Sequence, residues 1–386
     1  MTGMTGRGRL TRRGFLAASG AGAAGLALAA CGTGSSTGEK EEASPDGTVD
    51  WSNWIAYIDI DDDTGARPSL ERAQSELGIT VNYVEDINDN NEFLAKVRPT
   101  LEQGRSIDRD IAVLTDWMAG LWIANGWTEK LNKDNIPNAG NIIERLQSPD
   151  FDPSREYTVP WQSGFAGLGW NTPLLQELTG KTSLTSVDEL WVPELKGRVS
   201  VLTEMRDTIG VIMLAQGNDP ANFGDAEFDE ALAELQRQVD SGQIRQVQGN
   251  DYLTSLEGGD AVAVIGWSGD VVSLGDDFGF ALPESGGTLW TDNILIPQVA
   301  GDQADAEKLI NFYMDPANAA EVAAYVNYLC PIAGAQEAMQ QIDPELAESE
   351  WIFPNEDQLG RGTIFQPLDE ETDSKYQSQF QAVIGN

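Results

Sequence analysis

The chain has 386 residues, with 62 Asp or Glu against 24 Lys or Arg, a formal charge of −38 and no histidine. This balance excludes a general nucleic-acid partner, because phosphate affinity rests on clustered Lys and Arg releasing counterions. The missing histidine excludes Ser-His-Asp and Cys-His catalysis and every His-ligated metal site, leaving carboxylate chemistry and plain binding in a chain long enough for two lobes.

At the N-terminus, Thr11-Arg12-Arg13-Gly14-Phe15-Leu16 precedes an Ala/Gly-rich apolar run that ends in Leu28-Ala29-Ala30-Cys31-Gly32. The order resembles a twin-arginine export signal closing on a bacterial lipobox. Residues 1–30 are therefore expected to be a cleaved signal peptide, and Cys31 the lipidated residue; the run is too short and Gly-rich for a good membrane span. Cleavage removes four arginines and no acid, which brings the mature charge to −42. With Cys31 acylated, Cys330 has no partner for an intrachain disulfide. Residues 31–48, small, polar and charged, read as a lipidated flexible tether. The body beyond is expected to be exported and held by lipid at the outer face of the cytoplasmic membrane, since no later stretch approaches a transmembrane length.

From residue 49, helix-like and strand-like segments alternate. Helical stretches over 69–78 and 91–103 are followed by the β-rich runs Ile79–Val84 and Ile111–Leu114. Val199–Leu202 is another short strand. Phe228, Ala231, Leu232, Leu235 and Val239 fall at helical spacing in a charged segment, and Ala261–Ile265 follows as a buried strand. This is α/β patterning, and its length predicts two lobes facing a cleft.

Aromatic residues stand beside acids or other aromatics at the ends of several strand-like runs: Trp54 and Tyr57, Thr115-Asp116-Trp117, Trp267 and Asp270, Trp290 and Asp292. Ligands of α/β sheets bind beyond the carboxyl ends of strands. Aromatic faces attract ammonium groups through the ring quadrupole, and carboxylates fix the charge by hydrogen bonds, so the combination suits an organic polycation. Asp59-Ile60-Asp61-Asp62-Asp63 has a calcium-loop look, but Thr64 and Leu70 occupy the positions that need Gly and Glu, so it reads as a solvated acidic turn and no metal site is assigned. Cys330, beside Pro331, reads as a buried, unreactive thiol.

These segments together resemble the spermidine/putrescine-binding proteins of bacterial ABC importers, in consistent order from about residue 50 to the C-terminus. The resemblance is carried by Asn53-Trp54-x-x-Tyr57-Ile58, Asn91-Glu92, Thr115-Asp116-Trp117, Val159-Pro160-Trp161, Gly167-Leu168-Gly169-Trp170-Asn171, Ile265-Gly266-Trp267-Ser268-Gly269-Asp270 and Trp290-Thr291-Asp292. It implies a two-lobed periplasmic-binding-protein fold of type II, each lobe a mixed sheet flanked by helices, with a ligand cleft between. The implied lobes are 49–171 plus 291–332, and 172–290 plus 333–386. Trp267 and Trp290 would line the methylene chain, with Trp54, Tyr57, Thr115 and Trp117 closing the box from the first lobe. Asp292 would bind an amine deep in the cleft, Asp270 would hold one directly or through water, and Glu204 and Asp207 would read the far amine. Gln366 would supply a C-terminal amide contact. Ala56 departs from the family, which often has an acid there, and Asp116 is the candidate substitute. The implied partners are a polyamine and the permease subunits of an ABC transporter, for a monomer with no cofactor and no catalysis. Two other readings compete: a binding protein for another cation such as a quaternary amine, and a secreted glycoside hydrolase using a carboxylate pair such as Asp270 with Asp292.

Overall fold

The computed structural model describes residues 45–61 and 63–385. The expected signal peptide, the lipidation site at Cys31 and most of the tether lie outside the described residues. The first elements are β1 (Thr48–Trp54), α1 (Pro68–Leu77), β2 (Thr80–Ile87), α2 (Asn90–Leu101), β3 (Ile111–Thr115), α3 (Asp116–Ala124), β4 (Thr158–Asn171) and α4 (Thr172–Thr179). Next come β5 (Val199–Leu202), α5 (Met205–Ala215), α6 (Asp225–Asp240), β6 (Ile244–Gln248), α7 (Tyr252–Glu257), β7 (Ala263–Trp267), α8 (Ser268–Ser273), β8 (Phe278–Ala281) and β9 (Gly287–Leu295). The chain finishes with α9 (Gln303–Tyr313), α10 (Pro316–Val326), α11 (Ala335–Ile342), α12 (Glu356–Gly360), β10 (Gly362–Thr363) and α13 (Glu370–Ile384).

Local chemistry sets these boundaries. Pro68 opens α1, where a missing N–H costs nothing, and Gly78 closes it at φ 66°. Asp89 caps α2 by accepting from the N–H groups of Asn91 and Glu92. In α6, Phe228, Ala231 and Leu235 are buried along one stripe, while Leu232 and Val239 are half-buried beside it.

The strands order as β2-β1-β3-β9-β4-β7-β5-β6, with β10 beside β9 and β8 beside β4. β1 pairs in parallel with β2 and β3, and β5 pairs in parallel with β6 and β7. Between these two parallel sets run the antiparallel strands β4 and β9, which belong to both. A shared core with Trp51, Val113, Leu202 and Val264 runs through both sets, and each also has one of its own. Phe93, Val97, Leu114, Met118 and Trp122 pack on the β1–β3 side, and Val201, Ile209, Phe228, Leu235 and Phe380 pack on the β5–β7 side. The result is a two-lobed α/β fold on mixed strands, as the alternation predicts.

After the second crossing the chain returns to both lobes. The N–H of Ala333 donates to the carbonyl of Asn141, and α11 packs on α10, which places residues 333–342 with the helices of the first lobe. α13 instead joins the second lobe, where Tyr376 stacks on Phe228 at 3.9 Å between ring centroids. Cys330 is buried among apolar residues, and burial pushes its thiol up to about 12, which leaves it protonated and inert at neutral pH. Asp59 accepts from the N–H and hydroxyl of Ser69 at the start of α1, so this member of the acidic turn faces inward. No helix among the described residues is long and apolar enough to cross a membrane.

Candidate functional site

A cleft of about 1640 Å³ opens where the lobes meet, and Trp54, Tyr57, Thr115, Asp116, Trp117, Glu204, Asp207, Trp267, Asp270, Trp290 and Asp292 all line it. These residues come from the carboxyl ends of β1, β3 and β7, the first turns of α3, α5 and α8, and the middle of β9. Gln366 does not line the cleft. Its amide donates to the carbonyl of Phe223 and accepts from the N–H of the same residue, so it pins a loop of the second lobe.

Strand register builds the deepest part. β3 and β9 place Thr115 directly opposite Asp292. The Thr115 hydroxyl donates to Asp292 Oδ1 at 2.6 Å, and the Tyr57 hydroxyl donates to Oδ2 at 2.7 Å. Asp116, the next residue after Thr115, turns to β9: its Oδ2 accepts from the N–H of Thr291 at 3.1 Å and its Oδ1 from the amide of Asn293 at 2.7 Å. Asn293 is held in turn by buried Arg155, whose Nη1 donates to Asn293 Oδ1 at 2.6 Å.

The second lobe answers with its own acids. Glu204 caps α5 by accepting from the N–H of Arg206, and Asp207 lies in the first turn. Asp207 Oδ2 accepts from the indole N–H of Trp267 at 2.7 Å and Oδ1 from the hydroxyl of Thr288 at 2.6 Å. Asp270, in the first turn of α8, is buried beside them.

Four of these carboxyls titrate high. Burial pushes Asp292 up to about 6, Asp116 up to about 7 and Glu204 up to about 8, and it raises Asp207 as well. Neighbouring acids add to the rise: Asp207 acts on Asp292, Asp292 on Asp116, and Asp207 and Asp89 on Glu204. Their hydrogen-bond donors are neutral groups, and among the described residues no Lys or Arg forms an ion pair with Asp292, Asp116 or Asp207. The charges of Arg206, 4.0 Å from Glu204, and of Arg155 offset part of this rise at Glu204, Asp207 and Asp116 but leave it dominated by burial, so a cation entering the cleft relieves both desolvation and repulsion.

The rings are placed unequally. Trp290 and Tyr328 meet edge to face at 5.1 Å, and Tyr328 meets Tyr57 at 6.0 Å, forming one aromatic wall. The Trp290 indole N–H is buried without a partner among the described residues. Trp54 spends its indole N–H on the carbonyl of Val113. The ring of Trp117 is already covered: the Arg206 guanidinium lies 3.7 Å from its centroid.

Tyr328, Thr288 and Arg206 are functional neighbours that sequence reading passes over. Arg206 stands inside the Glu204-x-x-Asp207 motif, so its position was legible while its partner ring, 89 residues away in the chain, was not. Gly164 shows how tightly the wall is fitted, because a Cβ there would meet the Trp290 ring at 2.5 Å. Gly164→Ala is expected to displace Trp290 and weaken ligand binding about tenfold, at the lower end of overpacking costs; unchanged affinity would show that the Trp290 wall does not touch ligand.

The family model for bacterial extracellular solute-binding proteins matches residues 70–352. The spermidine/putrescine-binding periplasmic protein of Salmonella typhimurium is 25% identical over 323 residues, covering 83% of this chain and 87% of the relative. A putrescine/cadaverine-binding protein of Pseudomonas aeruginosa is 24% identical over 314 residues, covering 78% and 84%. Among solved structures, a Listeria monocytogenes protein described as a spermidine/putrescine ABC transporter superposes with a TM-score of 0.75 at 24% identity, covering 87% of this chain and 98% of that one. A Treponema pallidum lipoprotein superposes at 0.73 with 20% identity, covering 88% and 100%. A cleft between two lobes, lined by rings and buried acids, is thus carried on a scaffold these proteins share, and the chain belongs to the bacterial extracellular solute-binding protein family.

Proposed function

We propose that this protein captures a polyamine, putrescine or spermidine, and delivers it to the permease of an ABC importer. The observation that carries the reading is the set of buried carboxylates, Asp292 and Asp207 foremost, whose hydrogen bonds come from neutral donors beside Trp267 and Trp290. Each protonated amine requires a carboxylate partner on leaving water, and the cleft supplies several at once. The relatives named for spermidine and putrescine support the same choice of ligand.

In this reading the lobes hinge within β4 and β9, near Gly164 and Trp290, which pair across the two strands. The first lobe contributes Tyr57, Thr115, Asp116 and Asp292, and the second Glu204, Asp207, Trp267 and Asp270. Asp116 takes the part of the missing acid at Ala56. The protein acts as a monomer, binds without catalysis or cofactor, and is held outside the cell membrane through a lipid on Cys31 after twin-arginine export.

Calorimetric titration of the purified protein with putrescine, spermidine and spermine tests the reading, with betaine and a neutral sugar as controls. The expected result is one saturable site near micromolar or tighter, about −8 kcal/mol, that survives added salt. Weak binding abolished by salt would reduce the cleft's acidity to surface attraction, and tight binding of betaine alone would move the ligand to a quaternary amine.

A further inference from the structure

We infer that Arg206 is the positioning residue that couples occupancy of the cleft to closure of the lobes, by stacking on Trp117 across the mouth; the inference rests on the cleft being the amine site. Trp117 belongs to α3, whose Met118, Ala119 and Trp122 pack into the first lobe's core. Arg206 belongs to α5, whose Met205 and Ile209 pack into the second. Their 3.7 Å contact therefore joins the lobes.

The guanidinium is held for this task. Its side chain is only 6% exposed, and its Nη2 donates to Asp373 on α13 at 2.8 Å. At the same rim Arg98 of α2 reaches Glu370 of α13, also at 2.8 Å, so arginines from opposite lobes cross the mouth in opposite directions. Trp117, Arg206 and Glu370 line both the main cleft and a smaller outer groove of about 470 Å³, and so form the wall between them.

Coupling follows from the first turn of α5. Glu204 and Asp207 face the cleft on either side of Arg206 in sequence, and Glu204 accepts from the Arg206 N–H. An ammonium drawn between the two acids fixes that turn, and with it the guanidinium on Trp117. Arg206 Nε and Nη1 have no hydrogen-bond partner among the described residues, so the Trp117 ring face, Asp373 and the Glu204 carboxyl 4.0 Å from Nη1 together offset the cost of burying this cation.

A double-mutant cycle tests the coupling, using Arg206→Met, Trp117→Leu and the pair, with putrescine and spermidine as probes. Each single change is expected to weaken both amines about tenfold and in like proportion, a desolvated cation–π contact read as affinity. The loss should appear in faster dissociation with association nearly unchanged, Arg206→Lys should restore part of it, and the double variant should be no weaker than the worse single. Losses that multiply in the double variant, or that fall on one amine alone, overturn the proposal. The same cycle in the melting temperature of the ligand-free protein keeps the two readings apart. Non-additive shifts support the Arg206–Trp117 contact even if no amine binds, and additive shifts that persist when the protein is saturated with amine sink it.

Discussion

Asp292→Asn is expected to lower the affinity for putrescine or spermidine by more than a hundredfold while raising the melting temperature of the ligand-free protein at pH 8. Removing one member of a buried ion pair costs about 3 to 5 kcal/mol, because the other charge is left in the cleft unpaired. In the ligand-free protein the balance reverses. Asp292 is 6% exposed and Asp207 repels it, which outweighs the two hydroxyls that donate to it and pushes its carboxyl up to about 6. An amide of the same shape keeps a hydrogen bond and discards the charge. Calorimetry and thermal melting on one protein sample check both halves. A variant that binds normally would remove Asp292 from the ligand, and one that melts well below the parent would make the carboxylate a structural group.

The second large effect is on pH. Amine binding needs ionised acids, and in the ligand-free protein Asp292, Asp116 and Glu204 are pushed to about 6, 7 and 8. A bound cation lowers these values, so protons leave as ligand enters. Affinity should rise at least about tenfold from pH 5.5 to pH 8.5, with about one proton released per ligand at pH 7. The stability of the ligand-free protein should move the other way. Carboxyls raised above their unfolded values bind more protons in the folded state, so their cost is present in full above about pH 8 and disappears as pH falls through the folded values toward the unfolded ones. Titrations in two buffers of different ionisation heat measure the proton count. Affinity flat across this range, with no buffer-dependent heat, would mean that the raised acids do not meet the ligand.

Legibility followed the range of the interaction. Proline and glycine marked the ends of α1, the acid cap marked α2, and short β-rich runs marked β2, β3 and β5, because those preferences act over one to four residues. The acid and aromatic positions of the cleft were legible too, since most sit where a strand ends and a helix begins, a place sequence pattern can locate. The fates of Trp117 and Gln366 were not. Trp117 carries Arg206 from the other lobe, and Gln366 is spent on the Phe223 backbone, partners separated in sequence by 89 and 143 residues.

The amino-acid sequence by itself determined the α/β class, the exclusion of histidine chemistry and of a basic nucleic-acid surface, and the acid and aromatic residues from which the cleft is built. Composition and local pattern are enough for these, because each depends on which residues are present and on short-range periodicity. Tertiary structure alone decided which acids lack a cation, which ring faces are open and where the lobes share strands. Those follow from the register of β9 against β3 and β4, and a carboxylate's charge state and a ring's free face are properties of neighbours that the chain brings together only on folding.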